Sequence, residues 1–339
     1  MKASDFVKKY SLRLVEESDL NVYQDFIKHN FMSTNIFNIN LMRTESLMRS
    51  FDEQGIKGFP VFLIDDQKQV CGLFSLGIRQ AFLNGKKVSY GYLSDLRLST
   101  KKMSRTLIEF RKIYRDILEN ANQIEEFKEI SFFLTSVLGD NLDALKALGR
   151  GRSGVVYKHI ESFKTQALWV HPGYILPTPK TFQVVLEDFE DNLKNSSEGL
   201  SEDVQNIARI TAGKVKVMYQ NKVVFSGLLA KPSLRKLELG FNVWDKVRTS
   251  LAMNWLLQVE IDSELTTEEY QLCIKSLIKK LIAAKKIEWG SYLLFKTETS
   301  KPSMLFGKEM VSQIFQVGSV QQNLEILDQQ KIQLESFFL

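Results

Sequence analysis

The chain has 339 residues, of which 44% are hydrophobic and 25% are charged. These proportions are those of a globular protein with room for about two domains, and they exclude long disordered stretches. The formal net charge of +5 is small for this length, and the basic residues are interspersed with acidic ones, which argues against a nucleic-acid-binding surface.

Two helices and three strands are predicted in the first hundred residues. Apolar residues recur at helical spacing after Ser18-Asp19, which offers an N-cap, and a second helix is predicted over about 44–53 and ends before Pro60. Apolar runs predict strands at 61–64, 70–82 and 87–98. Asn84-Gly85 lies between the last two runs, and this dipeptide is the strongest short signal for a β-hairpin. The three runs therefore predict an antiparallel meander.

A helix, a strand, a helix and a strand follow, and then a proline-rich connection. Their predicted bounds are 100–120, 130–137, 141–148 and 155–157. Pro172, Pro177 and Pro179 lie close together, and prolines at this density interrupt helices and interior strands. The sequence therefore predicts a first domain at 1–165, a connection at 166–182 and a second domain at 183–339.

The second domain repeats part of this order of elements without repeating its sequence. Helices are predicted over 201–211, over 266–285 with Thr266 as the cap and, as an amphipathic tail, over 318–339. Strands are predicted over 215–219 and 223–229 around the Gln220-Asn221 turn, and over 234–239, 256–261 and 291–295. The fold class is therefore α/β, with a mixed, mostly antiparallel sheet flanked by helices.

The sequence contains no motif for a metal, a nucleotide-binding loop or an export signal. His29, His159 and His171 form no pair at ligand spacing, so no metal is expected. The first ten residues lack the apolar core of a signal peptide, and no apolar run approaches the ~18 residues that cross a bilayer. Cys71 and Cys273 are predicted to be buried free thiols. We therefore expect a cytoplasmic protein with no membrane partner.

Two segments of the first half resemble the GNAT superfamily of acyl-CoA N-acyltransferases. Residues 90–107, YGYLSDLRLSTKKMSRTL, are similar to the strand end, pyrophosphate loop and helix of that family. Within residues 135–154, the spacing of Asn141, Ala144, Leu148 and Gly151 is similar to that of its next strand and helix. The resemblance covers about half of the chain. It implies a GNAT-like acyl-CoA N-acyltransferase fold, with a second domain that is GNAT-like or α+β.

The resemblance implies a CoA site where the 87–98 strand splays from its neighbour and pairs with the pantetheine arm. The pyrophosphate would lie at the start of the next helix, where N–H groups are unpaired and the helix dipole is positive. The loop at 101–106 has no glycine, so an ordinary helix opening with solvated basic residues remains an alternative. Asn141 also fits an N-cap. The implied CoA-binding residues are Leu96, Leu98, Lys101, Lys102, Met103, Ser104, Arg105, Thr106 and Asn141.

The resemblance also implies two catalytic residues. Asp95 is the implied general base, with a pKa raised by burial, and the alternative is a structural aspartate paired with Arg97. The general acid of the family is usually a tyrosine where this chain has Leu148. Tyr92 or Tyr90 is the implied replacement, unless both tyrosines belong to the core.

Three functions remain open. The first is N-acyl transfer from acetyl-CoA or another acyl-CoA, used as a substrate, to an unidentified amine that attacks the thioester directly. The second is a non-catalytic GNAT-like binding or scaffold protein, which the missing loop glycines and the missing tyrosine favour. The third is aminoacyl transfer of the kind found in tandem GNAT enzymes that use tRNA.

The first half is the predicted location of the site. Asp262 and Glu264 place negative charge where the second half would otherwise bind phosphate. We expect a monomer or homodimer whose partners are a CoA thioester and an amine, with no nucleic acid.

Overall fold

The structure is a computed structural model of the whole chain. It describes residues 1–10, 12–33, 37–54, 57–99, 103–149, 154–175, 182–190, 193–233, 235–241, 248–297, 307–319, 327, 330 and 332–334.

The described residues form seven helices and seventeen strands. The helices are α1 (Ala3–Lys8), α2 (Leu20–His29), α3 (Leu47–Gln54), α4 (Met103–Asn120), α5 (Leu142–Gly149), α6 (Val204–Ile210) and α7 (Thr267–Ala283). The strands are β1 (Leu12–Leu14), β2 (Met32–Ser33), β3 (Phe37–Arg43), β4 (Lys57–Ile64), β5 (Val70–Leu83), β6 (Lys86–Leu98), β7 (Ile130–Leu138), β8 (Val155–Trp169), β9 (Phe182–Glu187), β10 (Leu200–Glu202), β11 (Thr211–Tyr219), β12 (Lys222–Ala230), β13 (Arg235–Phe241), β14 (Arg248–Ile261), β15 (Tyr292–Thr297), β16 (Gly307–Ser319) and β17 (Ile332–Gln333).

One continuous sheet passes through both halves of the chain. Its strands lie in the order β9-β11-β12-β14-β15-β8-β16-β7-β6-β5-β4-β1. Among the described pairs, only β6–β7, β14–β15 and β10–β17 are parallel. The prediction of a mixed, mostly antiparallel sheet flanked by helices is confirmed.

Helices cover both faces of the first-half sheet. Residues of α1 and α4 pack on one face, against alternate residues of β4 and β5 such as Leu63 and Phe74. Residues of α2 and α3 pack on the other face, against Phe62 and Leu73. In the second half, α7 packs on β11 through Val215 and Val217. Successive residues of a strand point to opposite faces, so each strand contributes to two cores.

The predicted hairpin at Asn84-Gly85 is confirmed. Both residues have positive φ, 50° and 76°, as a type I′ turn requires. The strands on either side pair in antiparallel register from Leu83↔Lys86. The tip also binds a distant loop, because Asn84 N donates to the Gly199 carbonyl and its Oδ1 accepts from Gly199 N, both at 2.9 Å.

Replacing Asn84 by alanine is expected to lower the free energy of unfolding by about 2 kcal/mol. About half is the cost of a left-handed alanine, and the rest is the lost hydrogen bond to Gly199. Asn221, at φ 63° in the turn of the β11–β12 hairpin, is the matched control. Asn221→Ala has only the backbone cost, about 1 kcal/mol. Urea titration of both variants measures the difference, and equal losses would show that the Gly199 contact contributes nothing.

Several sequence predictions differ from the structure, and three of them concern Pro60, the strand at 155–157 and the tail. Pro60 lies inside β4, where its carbonyl accepts from Val15 N, and its missing N–H faces the same side, so the only bond it forgoes is the reciprocal one to Val15 just past the end of β1, and none is lost to β5. The strand predicted at 155–157 continues to Trp169. The predicted tail helix is wrong where the tail is described, because Gly318 and Ser319 end β16 and Ile332–Gln333 forms β17.

Strands of the first and second halves of the chain are interleaved in the sheet. β16 lies between β7 and β8, and the end of β8 pairs with β15. The placement of a domain boundary at 166–182 remains a prediction.

Two further observations concern the chain as a whole. Cys71 and Cys273 are buried and form no disulfide, and burial raises the pKa of the Cys273 thiol to about 12. None of the described helices combines the length and the apolar character that a bilayer crossing requires.

Candidate functional site

A gap opens between two parallel strands of the first half. The β6–β7 ladder runs from Ser89↔Ile130 to Leu93↔Thr135 and stops there, although β6 continues to Leu98 and β7 to Leu138. Thr135 Oγ1 donates to the Leu93 carbonyl at 2.8 Å and closes the inner end of the gap. The strand edges beyond this point are not paired with each other. An extended ligand fits there as an added strand.

A β-bulge at Asp95 directs β6 away from β7. On the β5 side the register passes from Leu73↔Arg97 to Ser75↔Ser94, so one residue of β5 faces both Asp95 and Leu96. Asp95 has φ 57°, a left-handed conformation that is uncommon for a residue with a side chain. Such bulges bend a strand and increase its twist, which separates β6 from β7 at this point.

The second half contains the same combination of a β-bulge and a gap between parallel strands. The β14–β15 ladder ends at Leu256↔Phe295, and β14 continues to Ile261. The β12–β14 register passes from Ser226↔Glu260 to Leu228↔Leu257, so Gly227 faces two residues, the first of which is Gln258 with φ 47°. Counting from the last paired residues, Asp95 corresponds to Gln258, Arg97 to Glu260 and Ser136 to Lys296. The repeat that the sequence shows only as an order of elements is therefore a repeat of backbone geometry.

Asp95 lies in a buried ion pair. Its Oδ2 accepts from Arg43 Nη2 at 2.9 Å and from the Tyr23 hydroxyl at 3.3 Å, and the side chains of Arg43 and Asp95 are 1% and 10% exposed. Burial by itself raises the pKa of Asp95, but the charge and hydrogen bond of Arg43, with the charge of Arg97, hold its pKa below its ordinary value. The prediction of a raised pKa is wrong, since the aspartate has a cation on a different element. The sequence offered Arg97 as an alternative partner for Asp95, and in the structure the ion pair is formed with Arg43 instead.

Tyr92 lies beside the inner end of the gap. Its hydroxyl shares a 2.6 Å hydrogen bond with Ser136 Oγ, the first residue of β7 past the end of the ladder. The guanidinium of Arg79 lies over its ring at 4.0 Å. Tyr92 is only 2% exposed, so it belongs to the core and also presents its hydroxyl at the gap.

Tyr90 faces the same side of β6 and reaches the second half of the chain. Its hydroxyl donates to Glu202 Oε1 at 3.3 Å. Burial and the Glu202 carboxylate raise the pKa of Tyr90, so its hydroxyl stays protonated.

The remaining predicted CoA-binding residues differ in where the structure places them. Leu96 follows the bulge and is 43% exposed, whereas Leu98 packs over Gly72 in the core. Asn141 caps α5, because its Oδ1 accepts from Ala144 N at 3.1 Å. Lys101 and Lys102 lie outside the described residues. The backbone of 103–106 forms the first turn of α4, as predicted, and the side chains of Met103, Ser104, Arg105 and Thr106 lie outside the described part.

The helix that follows the second gap is already capped. Thr266 Oγ1 accepts from Glu269 N, and the Glu269 carboxylate accepts from Thr266 N at 2.9 Å. Lys222 Nζ lies 2.9 Å from Asp262 and 3.1 Å from Glu264. The start of α7 therefore carries its own anion, and a phosphate there would have to displace it.

A cleft of about 560 Å³ lies beside the second gap, and we call it the second-half cleft. Its floor is formed by residues 214–216, 226–228 and 258–260, and its walls by α6, β10 and Lys296. Lys214 and Lys216 point into it, on the sheet face opposite α7, because Val215 and Val217 pack under α7. Glu202, the acceptor of the Tyr90 hydrogen bond, lines the same cleft and is 3% exposed.

Helices α2 and α3 cover the equivalent face of the first half. Asp95 and Arg97 are buried there under α2 and α3, whereas their counterparts Gln258 and Glu260 are exposed. Arg97 Nη1 donates to the Asn30 carbonyl at 2.8 Å. The two gaps thus share a backbone geometry, but among the described residues the second has an open cleft on the face where the first carries the Arg43–Asp95 pair. Among the described residues, no group of three or more His, Cys, Asp or Glu side chains is placed to hold a metal ion.

Sequence reasoning missed Gln258, Lys296 and Glu202. Gln258 and Lys296 become site residues only through strand register, and Glu202 only through the pairing of β10 with β5. Their residue types and spacing carry no signal that distinguishes them from surface residues.

The fold is similar to that of solved N-acyltransferases. A tandem GNAT protein from the clavulanic acid biosynthesis pathway matches 92% of this chain and 99% of its own, with 9% identity and a TM-score of 0.52. A Saccharomyces cerevisiae N-myristoyltransferase with bound myristoyl-CoA matches 96% of this chain and 84% of its own, with 10% identity and a TM-score of 0.51. No family model matches the chain, and no curated protein matches it. The comparison confirms the GNAT-like fold predicted from residues 90–107 and 135–154.

Proposed function

We propose that this protein is an acyl-CoA-dependent N-acyltransferase, with acetyl-CoA as the simplest donor. The gap between β6 and β7 past Leu93 and Thr135, opened by the bulge at Asp95, is the observation that carries the proposal. A pantetheine arm is an extended chain with amide groups, so it suits the unpaired strand edges of such a gap. The likeness in fold to structures of N-acyltransferases supports the same reaction class.

The first gap suits CoA better than the second. α4 begins at Met103, shortly after β6 ends at Leu98, so the start of a helix follows the gap. The basic residues Lys101, Lys102 and Arg105 surround that start in the sequence. A helix start with basic neighbours attracts a pyrophosphate, whereas the start of α7 is occupied by its own Glu269.

The acceptor amine is proposed to enter through the second-half cleft. The first-half face that would otherwise receive it is filled by the Arg43–Asp95 pair. Glu202 lines the cleft and bonds Tyr90, which lies two residues along β6 from Tyr92 at the gap. Glu202 therefore connects the inner end of the cleft, through Tyr90, to the strand that borders the gap, and this is the proposed path of the amine to the thioester.

The proposed reaction is direct transfer. The amine nitrogen attacks the thioester carbonyl carbon, and the carbon–sulfur bond breaks as the carbon–nitrogen bond forms. The thiolate of CoA accepts a proton, for which the Tyr92 hydroxyl is the proposed donor, and solvent takes the proton lost by the amine. For Asp95 we propose a structural role, the holding of the bulge, because its carboxylate is occupied by Arg43 and Tyr23.

Replacing Lys101 and Lys102 together by alanine is expected to raise the Kd of acetyl-CoA about tenfold, because two charges near the pyrophosphate are lost. Titration calorimetry measures the affinity. The matched control is Asp262→Ala with Glu264→Ala, which removes two charges from the second-half loop and should leave the Kd unchanged.

Two outcomes would contradict parts of the proposal. No binding of acetyl-CoA at millimolar concentration would refute the CoA site. Binding without release of free CoA thiol, in the presence of a broad mixture of amines, would support the non-catalytic alternative, to which the ion-paired Asp95 and the absent family tyrosine at Leu148 also point.

A further inference from the structure

The second-half cleft carries an excess of positive charge. Four lysines line it, against the two glutamates Glu202 and Glu260. Lys216 is already paired with Glu187, at 2.9 Å between Nζ and Oε1. Lys194 and Lys296 form no ion pair with any residue that the structure describes. A ligand that brings an anionic group would therefore neutralise charge that the described residues leave unpaired.

Lys296 occupies a defined position in this cleft. It is the first residue of β15 past the end of the parallel ladder, so the second gap places it at the edge of the cleft. Its Nζ donates to the Leu334 carbonyl at 3.1 Å, which holds the ammonium in place on a half-buried side chain. An ammonium has three N–H donors, and this bond uses one of them. The Nζ also lies 5.7 Å from the centre of the Phe163 ring, a cation–π contact that supplies no hydrogen-bond acceptor of the carboxylate or phosphate kind, so an anionic oxygen of a ligand would be the stronger acceptor for the other two.

We propose that the second-half cleft selects amines that also carry an anionic group, a carboxylate or a phosphate, and that Lys296 binds that group. The buried Glu202 on β10 provides the complementary charge for the ammonium form of the amine. A cavity of about 560 Å³ has the size of a small-molecule site, so the ligand is a small metabolite or a short peptide. That such an amine is an acyl acceptor rests on the proposed function, whereas its binding does not.

Binding is tested on the full chain without CoA. The probes are glycylglycine against its neutral amide glycylglycinamide, and phosphoethanolamine against ethanolamine, with affinities measured by calorimetry. At least one anionic probe is expected to bind about tenfold more tightly than its neutral partner, and the better of the two identifies the anion as carboxylate or phosphate. Lys296→Met is expected to remove that tenfold preference. Lys216→Met, a cleft-lining lysine already paired with Glu187, should preserve it.

Each outcome separates this inference from the proposed function. Equal affinity for charged and neutral probes, no binding of either anionic probe, or equal effects of Lys296→Met and Lys216→Met would overturn the inference. If Lys296→Met fails to fold, Lys296→Gln replaces it. Acetyl transfer restricted to neutral amines would overturn the inference and leave the proposed function standing. Anion-selective binding lost in Lys296→Met, with no acetyl transfer to any probe, would support the inference and count against the proposed function.

Discussion

Replacing Arg43 by methionine is expected to lower the free energy of unfolding by about 3–5 kcal/mol, because it leaves the Asp95 carboxylate buried without its cation. Arg43 is 1% exposed and makes several contacts at once. Besides bonding Asp95, it donates to the Ser50 carbonyl at 3.1 Å and its guanidinium lies 3.6 Å from the centre of the Phe51 ring. Methionine fills much of the volume, so the loss reports the polar contacts. Urea denaturation measures it.

Arg13→Met is the matched control. Arg13 donates two hydrogen bonds to Asp19, at 2.7 and 3.0 Å, but its side chain is 47% exposed. Exposed ion pairs contribute less than about 1 kcal/mol, since water solvates both charges when the pair is broken. If Arg43→Met is no more destabilising than Arg13→Met, the Arg43–Asp95 pair is not a major contributor to stability.

The Arg43–Asp95 pair also predicts how the free energy of unfolding depends on pH. The pKa of Asp95 is lower in the folded protein than in the unfolded chain, where it is about 3.9. The folded state therefore gains stability from this group at pH values above the unfolded pKa, and loses it as the pH falls through the folded pKa. Unfolding free energies measured between neutral and acid pH should fall less steeply in Asp95→Asn. An unchanged acid slope would show that Asp95 is not the titrating group.

Replacing Tyr92 by phenylalanine is expected to lower kcat for acetyl transfer about 100-fold, the usual lower bound for loss of a general acid. Only the hydroxyl is removed, so the stacking of the ring with Arg79 is preserved. The KM for acetyl-CoA should change little, because the proposed proton transfer to the thiolate takes place in the transition state and not on binding. Steady-state kinetics with a thiol reagent gives both constants.

Tyr10→Phe is the control for the loss of a tyrosine hydrogen bond. The Tyr10 hydroxyl donates to Asp116 Oδ2 at 2.7 Å on the α4 side of the sheet, away from the gap. Its kcat should stay within twofold of the unsubstituted protein, after correction for any loss of stability. Equal kcat values for the two variants would exclude Tyr92 as the proton donor.

Much of the local structure follows from short stretches of sequence. Asn84-Gly85 adopts the positive φ values that only a few residues favour, and the helix of 267–283 begins at the predicted Thr266 cap with Glu269 completing the capping box. These features depend on neighbours a few residues apart, whose preferences do not change with the rest of the fold. The resemblance of residues 90–107 to the GNAT superfamily also predicted a fold that the structural comparison confirms.

The site depended on contacts between residues far apart in the chain. Arg43 and Asp95 are 52 residues apart, and their pairing reversed the expected direction of the Asp95 pKa shift. β16 pairs with β7 on one side and β8 on the other through backbone hydrogen bonds. Any strand of suitable length offers the same bonds, so the packing of the whole sheet decides which strands β16 pairs with. The local sequence thus determined which segments form helices, strands and turns. Only the tertiary structure decided that the bulges at Asp95 and Gln258 are equivalent, and that the first adjoins a face covered by α2 and α3 whereas the second adjoins an open cleft. The physical reason is that strand register and buried charge are settled by long-range pairing.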